Sequence, residues 1–294
     1  MGSGVVLIGS LVVMVVTFIG AEIAGEVMDR PLDSDGIPTW GGIGDTALAL
    51  LSIALVTPVV LVTARWVQRR PAGTVSSVAG RLRWRWLGIC LAVALPLVAG
   101  TLGISVLLPE TAGDTEELEW AGLSSFLLGL AMVCALVPFQ AAAEEYVFRG
   151  WLLQAFGAWF RSPWIAVLPQ AVLFATAHGW GTPWGFADLV VFGLVAGLLA
   201  IRTGGLEAAI ALHVINNLLA MGIAAAIAGA LASDETAADM GWMEVAVDVP
   251  MILLYAAVVL WLARRRRLAA VGSAAPADAP VAPGSWSGDR PLPL

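Results

Sequence analysis

A small set of ionisable and amide side chains lies within otherwise apolar stretches of this chain. Only two histidines occur among the 294 residues, and both fall in such stretches. An acid or an arginine at the centre of a membrane helix costs roughly 2.5 to 3.5 kcal/mol on insertion scales, so such residues usually mark a functional site. The set comprises Glu144, Glu145, Arg149, His178, His213 and Asn217. These side chains predict a buried polar site.

The first group of these residues lies in AAAEEYVFRGW, residues 141–151. Glu145 and Arg149 are four residues apart, so on a helix they face each other as an ion pair. Glu144 is rotated by about 100 degrees from Glu145 onto a neighbouring face. An ion pair alone could simply hold a helical bundle together, but one arginine does not need two acids. Glu144 is therefore the candidate for chemistry in this group.

The other two groups each contain one histidine. His178 lies one helical turn after Phe174 in VLFATAHGWG, and a glycine-rich stretch follows it. His213 and Asn217 lie one turn apart and share a helix face. A lone histidine or asparagine in a membrane helix commonly forms a helix–helix hydrogen bond, so each group by itself has a purely structural explanation.

Together the three groups supply what peptide hydrolysis requires. A carboxylate can accept a proton from water, and an imidazole can hold that water or protonate the leaving amine. An amide or imidazole N–H can stabilise the oxyanion that develops on the scissile carbonyl. The sequence contains no G-x-S-x-G motif that would indicate a serine nucleophile instead.

The elements that carry these residues are predicted to be membrane-spanning helices. Hydrophobic residues make up 59% of the chain and charged residues 13%, whereas about a quarter of a soluble domain is charged. A bilayer span needs about 20 apolar residues. Eight stretches are candidates, at roughly 4–27, 43–64, 86–108, 122–145 with an apolar extension to 160, 163–178, 184–201, 205–231 and 243–263. The predicted fold class is all-α, a polytopic transmembrane bundle of about eight helices.

Charges alternate between the two ends of these stretches. The chain has no lysine, and most of its arginines follow the even-numbered stretches, at Arg65, Arg69, Arg70, Arg81, Arg83, Arg85, Arg161, Arg202 and Arg264 to Arg267. Arg30 is the only arginine that follows an odd-numbered stretch. Acids dominate after the odd-numbered stretches, as at Asp29, Asp33, Glu119, Asp234 and Asp239. The positive-inside rule then predicts that both termini are cytoplasmic. We expect a bacterial plasma-membrane location, with the site in the cytoplasmic half because Arg149 and Arg161 follow Glu144.

The three motifs resemble those of the CPBP family of intramembrane proteases, which includes CAAX prenyl proteases and bacterial Abi-type proteins. EEYVFRG fits E-E-x-x-x-R, FATAH fits F-x-x-x-H, and HVINN fits H-x-x-x-N. The motifs occur in the family's order on successive membrane stretches. The match covers about residues 121–231.

The resemblance implies a role for each residue. Glu144 would be the general base that activates water, and His178 would help bind that water. His213 and Asn217 would stabilise the oxyanion, while Glu145 and Arg149 would be supporting residues. The implied activity is that of an endopeptidase acting on a peptide or a membrane-associated protein.

Two versions of this chemistry are consistent with the sequence. The favoured version has no cofactor and depends on Glu144 alone for water activation. In the alternative, Glu144, His178 and His213 hold a zinc ion, because catalytic zinc often has three protein ligands and an open position. The sequence lacks the H-E-x-x-H motif of many zinc proteases.

Two other classes of function compete with proteolysis. One is a non-catalytic immunity or scaffold protein that uses the polar cluster for packing, and the other is a transporter with the acids as a proton relay. The absence of matched broken helices in two repeated halves argues against transport. The expected partners are the lipid bilayer and a peptide or membrane-protein substrate, and no nucleic acid.

The chain divides into four predicted parts. Residues 1–120 contain the first three helices, and residues 121–231 form the protease-like core. Residues 232–271 contain the last helix and a basic end. Residues 272–294 form a tail rich in proline and alanine, which is predicted to be disordered because it cannot bury enough apolar area to fold.

Overall fold

Eight helices form the bundle in the part of the chain that the computed structural model describes, residues 2–105, 119–160 and 162–271. In chain order they are α1 (Gly2–Val27), α2 (Gly42–Val67), α3 (Trp84–Ser105), α4 (Leu123–Trp159), α5 (Pro163–Ala177), α6 (Pro183–Thr203), α7 (Glu207–Ala224) and α8 (Trp242–Arg265). All but α5 are long and apolar enough to cross a membrane. The predicted all-α polytopic bundle is therefore confirmed. The predicted disordered tail lies outside the described residues.

The prediction of a helix over 205–231 was wrong at its C-terminal end, because α7 stops at Ala224. The chain after α7 instead pairs with residues 119–121: Ala121 donates its N–H to Ala226, and Ala228 donates its N–H to Glu119. Gly229 adopts a positive φ of 78°, which suits glycine and turns the chain away from the helix axis.

α4 is the longest helix and carries the glutamate pair. Its 37 residues correspond to about 55 Å of helix, well beyond a hydrocarbon core of about 30 Å. The helix is not uniform: a π-helical segment over Tyr146–Leu152 interrupts the α-helical hydrogen bonding directly after Glu145. Such π segments are rare and often lie at functional sites.

The helices that surround the glutamate pair pack as two groups. α4 contacts α2 and α7, while α5 packs mainly on α6 and on the C-terminal part of α4. The α5–α6 contact is close because Gly193 lies against Ala171 and Gly197 lies against Val167. α8 covers α3 and α6, and α1 packs mainly along α2 with most of its surface exposed.

The connections sort to two ends of the bundle. The arginine side holds the end of α2, the end of α6, the start of α7 and the end of α8, together with exposed Trp66, Trp84 and Trp261. The acidic side holds the opposite helix ends, with exposed Trp120, Trp180 and Trp242. Tryptophans at both ends match the aromatic belts of membrane proteins. Which end faces the cytoplasm stays a prediction.

One buried ion pair ties the arginine side together. Arg83, just before α3, donates from Nε and Nη2 to the two carboxylate oxygens of Glu207 at 2.9 and 2.6 Å, and its Nη1 donates to the carbonyl of Thr203. Glu207 is fully buried at the first position of α7, where an acid also complements the positive end of the helix dipole. The pair therefore connects α3, α6 and α7.

We expect the substitution Glu207→Gln to lower the free energy of unfolding by about 3 kcal/mol, because Arg83 would lose the carboxylate that it pairs with in a largely buried position. The matched control is Arg85→Gln at an exposed position, which should change stability by no more than about 0.5 kcal/mol. Thermal unfolding in detergent, followed by tryptophan fluorescence, measures both. Equal unfolding midpoints for the two variants would show that the pair does not stabilise the bundle.

Candidate functional site

Glu145 lies at the centre of the polar site. One of its carboxylate oxygens, Oε1, accepts hydrogen bonds from Nη1 of Arg149 and from Nδ1 of His213, both at 2.8 Å. The exposed fractions of these residues are 0% for Glu145, 2% for Arg149 and 4% for His213. Glu145 thus joins α4 to α7 and orients the imidazole of His213, a contact that sequence spacing did not reveal.

Aromatic rings enclose the guanidinium of Arg149. The guanidinium carbon lies 4.2 Å from the ring centroid of Phe174, 5.6 Å from Phe192 and 5.9 Å from Phe148. A desolvated cation over an aromatic face gains about 2 kcal/mol. Only one guanidinium nitrogen, Nη1, donates to Glu145. The rings therefore supply much of the stabilisation that this single hydrogen bond does not give the buried cation.

Glu144 points to a different set of partners. Its Oε1 accepts a hydrogen bond from Nε2 of Gln140 at 2.5 Å. Its Oε2 has no hydrogen-bond partner among the described residues and lies 3.7 Å from Nε2 of His213 and 3.9 Å from Nε2 of His178. Glu144 and His178 keep 13% and 22% of their side-chain surface exposed, whereas Oε2 of Glu144 itself is buried.

The hydrogen bonds assign the neutral tautomers of both histidines. Nδ1 of His178 lies 2.9 Å from the carbonyl oxygen of Phe174, and Nδ1 of His213 contacts the carboxylate of Glu145. A carbonyl and a carboxylate can only accept, so each Nδ1 carries the hydrogen. In the neutral imidazoles each Nε2 therefore presents a lone pair toward Oε2 of Glu144.

Three acceptor atoms consequently converge on one small space. A water molecule has two hydrogens and can satisfy only two of these three acceptors. The arrangement needs one further proton on Glu144, His178 or His213, or a cation between them. The charges agree with this requirement, since two carboxylates and one guanidinium leave a single negative charge that one added proton would cancel.

The backbone around His178 holds its ring at the end of α5. His178 follows the last helical residue, and its Nδ1 forms a hydrogen bond with the carbonyl oxygen of Phe174. This carbonyl is one of those that have no N–H partner at the end of a helix. The segment after α7 packs on this turn: Thr236 donates its hydroxyl to the carbonyl of His178. Gly181 has a φ of 40°, and the carbonyl of Ala238 leaves no room there for a Cβ.

Gln140 is a site residue that the motif search missed. It lies one turn before Glu144, is 5% exposed, and accepts a hydrogen bond from Nδ2 of Asn217 at 3.3 Å while donating to Glu144. It therefore links the amide on α7 to the carboxylate on α4. A buried glutamine in an apolar run, four residues before an acid, was the available signal.

The structure thus brings together the residues singled out from the sequence. Glu144, His178 and His213 converge, Glu145 pairs with Arg149, and Asn217 reaches the same cluster through Gln140. The cluster is nearer the arginine side, because His213 lies six residues, or about 9 Å, from the start of α7. Two wall residues were not anticipated, Gln140 and Phe192.

Comparison with known proteins agrees with this arrangement. Residues 123–219 match the family described as type II CAAX prenyl endopeptidase Rce1-like, and this range contains every residue of the site. YyaK of Bacillus subtilis (strain 168), described as uncharacterized, is 29% identical over 241 residues, which cover 78% of this chain and 79% of that protein. An uncharacterized 24.3 kDa protein of Escherichia coli is 30% identical over 160 residues, 53% of this chain and 69% of that protein.

No solved structure matches the chain. The family match, the relative at 30% identity and the helical bundle all lead to the same assignment. The chain is an integral membrane protein and belongs to the Rce1-like family of type II CAAX prenyl endopeptidases.

Proposed function

We propose that this protein is an intramembrane endopeptidase in which Glu144 activates water to attack a peptide bond of a membrane-associated protein or peptide. The observation that carries the proposal is the convergence of Oε2 of Glu144 with Nε2 of His178 and Nε2 of His213. Separations of 3.7 to 3.9 Å are too long for direct hydrogen bonds and suit a bridging water.

Water activation uses Glu144 and His178. A water between them donates one hydrogen to Oε2 of Glu144 and one to Nε2 of His178, which directs its oxygen toward the substrate carbonyl. Glu144 takes the proton as the water attacks, and the same proton then passes to the leaving amine. Gln140 supports this step because it engages Oε1 and leaves Oε2 as the oxygen that accepts the proton.

Oxyanion stabilisation requires an N–H at Nε2 of His213. Since Nδ1 already donates to Glu145, His213 must carry protons on both ring nitrogens to fill this role. The imidazolium form has the carboxylates of Glu145 and Glu144 beside it and supplies the proton that makes the cluster neutral. Asn217 uses one N–H to bond Gln140 and keeps a second for the oxyanion.

A zinc-dependent version of the same reaction is the second candidate, and the three converging lone pairs favour it. Glu144, His178 and His213 would hold the ion, which would polarise the substrate carbonyl and acidify water. The donor types fit, but the separations of 3.7 and 3.9 Å exceed the about 3.4 Å between neighbouring ligands of tetrahedral zinc. Among the described residues no group of three such side chains is close enough to hold a metal ion as placed.

We expect Glu144→Gln to reduce peptide-bond cleavage at least about 100-fold without loss of folding, because the amide keeps the size of the side chain but cannot accept the proton. The control is Glu26→Gln, the same change at an exposed position on the acidic side. Cleavage of a membrane-peptide library by purified protein measures both. Full activity of the Glu144 variant would refute the assigned base, and inactivity of the wild type towards every peptide would favour a scaffold.

We expect Gln140→Met to lower kcat about 10- to 100-fold with KM little changed, because Glu144 loses a hydrogen bond to its charged form while the substrate surface stays intact. Gln170→Met is the matched control. Gln170 is buried too, but it donates to the backbone carbonyls of Val167 and Gly193 and not to Glu144. Its variant should unfold at a lower temperature and keep the kcat of the folded fraction. Equal kcat values for the two variants would remove Gln140 from the site.

Metal analysis of the purified protein separates the two mechanisms. For the glutamate mechanism we expect substoichiometric zinc and unchanged cleavage after treatment with a chelator. The alternative would be established by one zinc per chain in the wild type and by loss of both zinc and activity in His178→Ala. Added zinc should then restore cleavage by wild-type protein that has been treated with the chelator.

A further inference from the structure

A second polar site lies at the arginine side, between the ends of α6 and α8. A pocket of about 120 Å³ is lined by Arg202, Leu260, Ala263, Arg264, Arg267 and Leu268. Half of the lining residues are arginines and none is acidic. The three arginines are exposed and carry like charges, so an anion bound among them would offset their mutual repulsion.

The buried carboxylate on this side is already engaged. Glu207 accepts from Nε and Nη2 of Arg83 and from the N–H of the same residue. No ion pair between a pocket arginine and an acid occurs in the part of the chain that the structure describes. Within these residues the pocket arginines therefore keep their charges available for an external anion.

The backbone at the end of α8 gives an independent indication. Arg267 adopts a left-handed conformation with φ 51°, and Leu268 and Arg267 donate their N–H groups to Ala263 and Arg264. This is the Schellman ending of a helix, in which the left-handed position is usually glycine. A side chain at this position strains the backbone, and such strain commonly accompanies a functional requirement. An arginine here brings a guanidinium to the pocket at the expense of helix stability.

The depth of the pocket indicates the source of the anion. Arg202 lies 5.0 Å from the ring centroid of Trp164, and Arg265 lies 4.2 Å from that of Trp261. Both tryptophans are about half exposed at helix ends, the position of an aromatic belt at the headgroup level. Leu260 and Leu268 add apolar surface to the lining, which fits an occupant that has an anionic group joined to an apolar part.

We propose that the pocket formed by Arg202, Arg264 and Arg267 binds the phosphate of an anionic phospholipid headgroup. Arginine forks bind phosphate oxygens in pairs, and basic pockets between membrane helices hold anionic headgroups. The site is separate from the Glu144 cluster and does not depend on peptidase activity.

The test measures the thermal unfolding midpoint of the full-length protein in a zwitterionic detergent during titration with phosphatidylglycerol. We expect a saturable increase of several degrees, and a much smaller increase with phosphatidylcholine or with inorganic phosphate. An equal effect of phosphatidylcholine would refute recognition of the anion. An equal effect of inorganic phosphate would identify a phosphate site that does not need a lipid.

Two sets of variants locate the effect. The variant R202Q/R264Q/R267Q should lose most of the phosphatidylglycerol response, whereas R65Q/R69Q/R85Q removes the same charge from exposed positions on the same side and should keep it. Equal losses in the two triple variants would reduce the effect to general attraction by surface charge and refute the pocket.

Arg267→Gly separates lipid binding from helix capping. Glycine relieves the left-handed strain, so the variant should unfold without lipid at the same or a higher temperature than the wild type while its response to phosphatidylglycerol falls. A lower unfolding temperature with an undiminished response would assign Arg267 a structural role only and overturn the proposal.

Discussion

The burial of two adjacent carboxylates among apolar helices is the constraint on which the rest of the site depends. Glu145 is fully buried, and a carboxylate in that position is tolerated only when it is paired and hydrogen-bonded. Arg149 and His213 both bond its Oε1, and three phenylalanine rings surround the guanidinium. The π-helical segment that begins at Tyr146 lies directly after the two glutamates, and Arg149 belongs to it.

The two glutamates have different tasks because they lie on different faces of α4. Glu145 has a structural role: its hydrogen bond to His213 connects α4 to α7 and orients the imidazole ring. Among the described residues Glu144 bonds Gln140 alone, and its buried Oε2 lies near two imidazole nitrogens. The same pairing that stabilises the bundle therefore also orients a group of the proposed active site, so a substitution at Glu145 would affect stability and chemistry together.

The position of His178 depends on a short helix, α5, and on a segment distant in the sequence. α5 has 15 residues, and His178 directly follows its last residue. The segment that joins α7 to α8 reaches this turn: the hydroxyl of Thr236 donates to the carbonyl of His178, and the carbonyl of Ala238 accepts from the N–H of Thr182. On the arginine side, the Arg83–Glu207 pair fixes the start of α7, about two turns from His213. Anchors at both ends of the bundle thus limit the movement of the two histidines.

The sequence by itself determined the fold class and most of the site, and the physical reasons are local. Long apolar stretches need helices in a bilayer, and the four-residue spacing of Glu145 and Arg149 produces an ion pair on any helix. The same rules could not supply contacts between helices. Which nitrogen of His213 carries a hydrogen depends on Glu145, 68 residues away, and the role of Gln140 depends on Asn217, 77 residues away.

The end of α7 likewise depends on distant residues. Its predicted extension to residue 231 is apolar enough for a helix, but pairing with residues 119–121 and the turn at Gly229 end the helix earlier. Only tertiary packing decides such contacts, because side chains on separate helices meet at distances and angles that spacing along the chain does not encode.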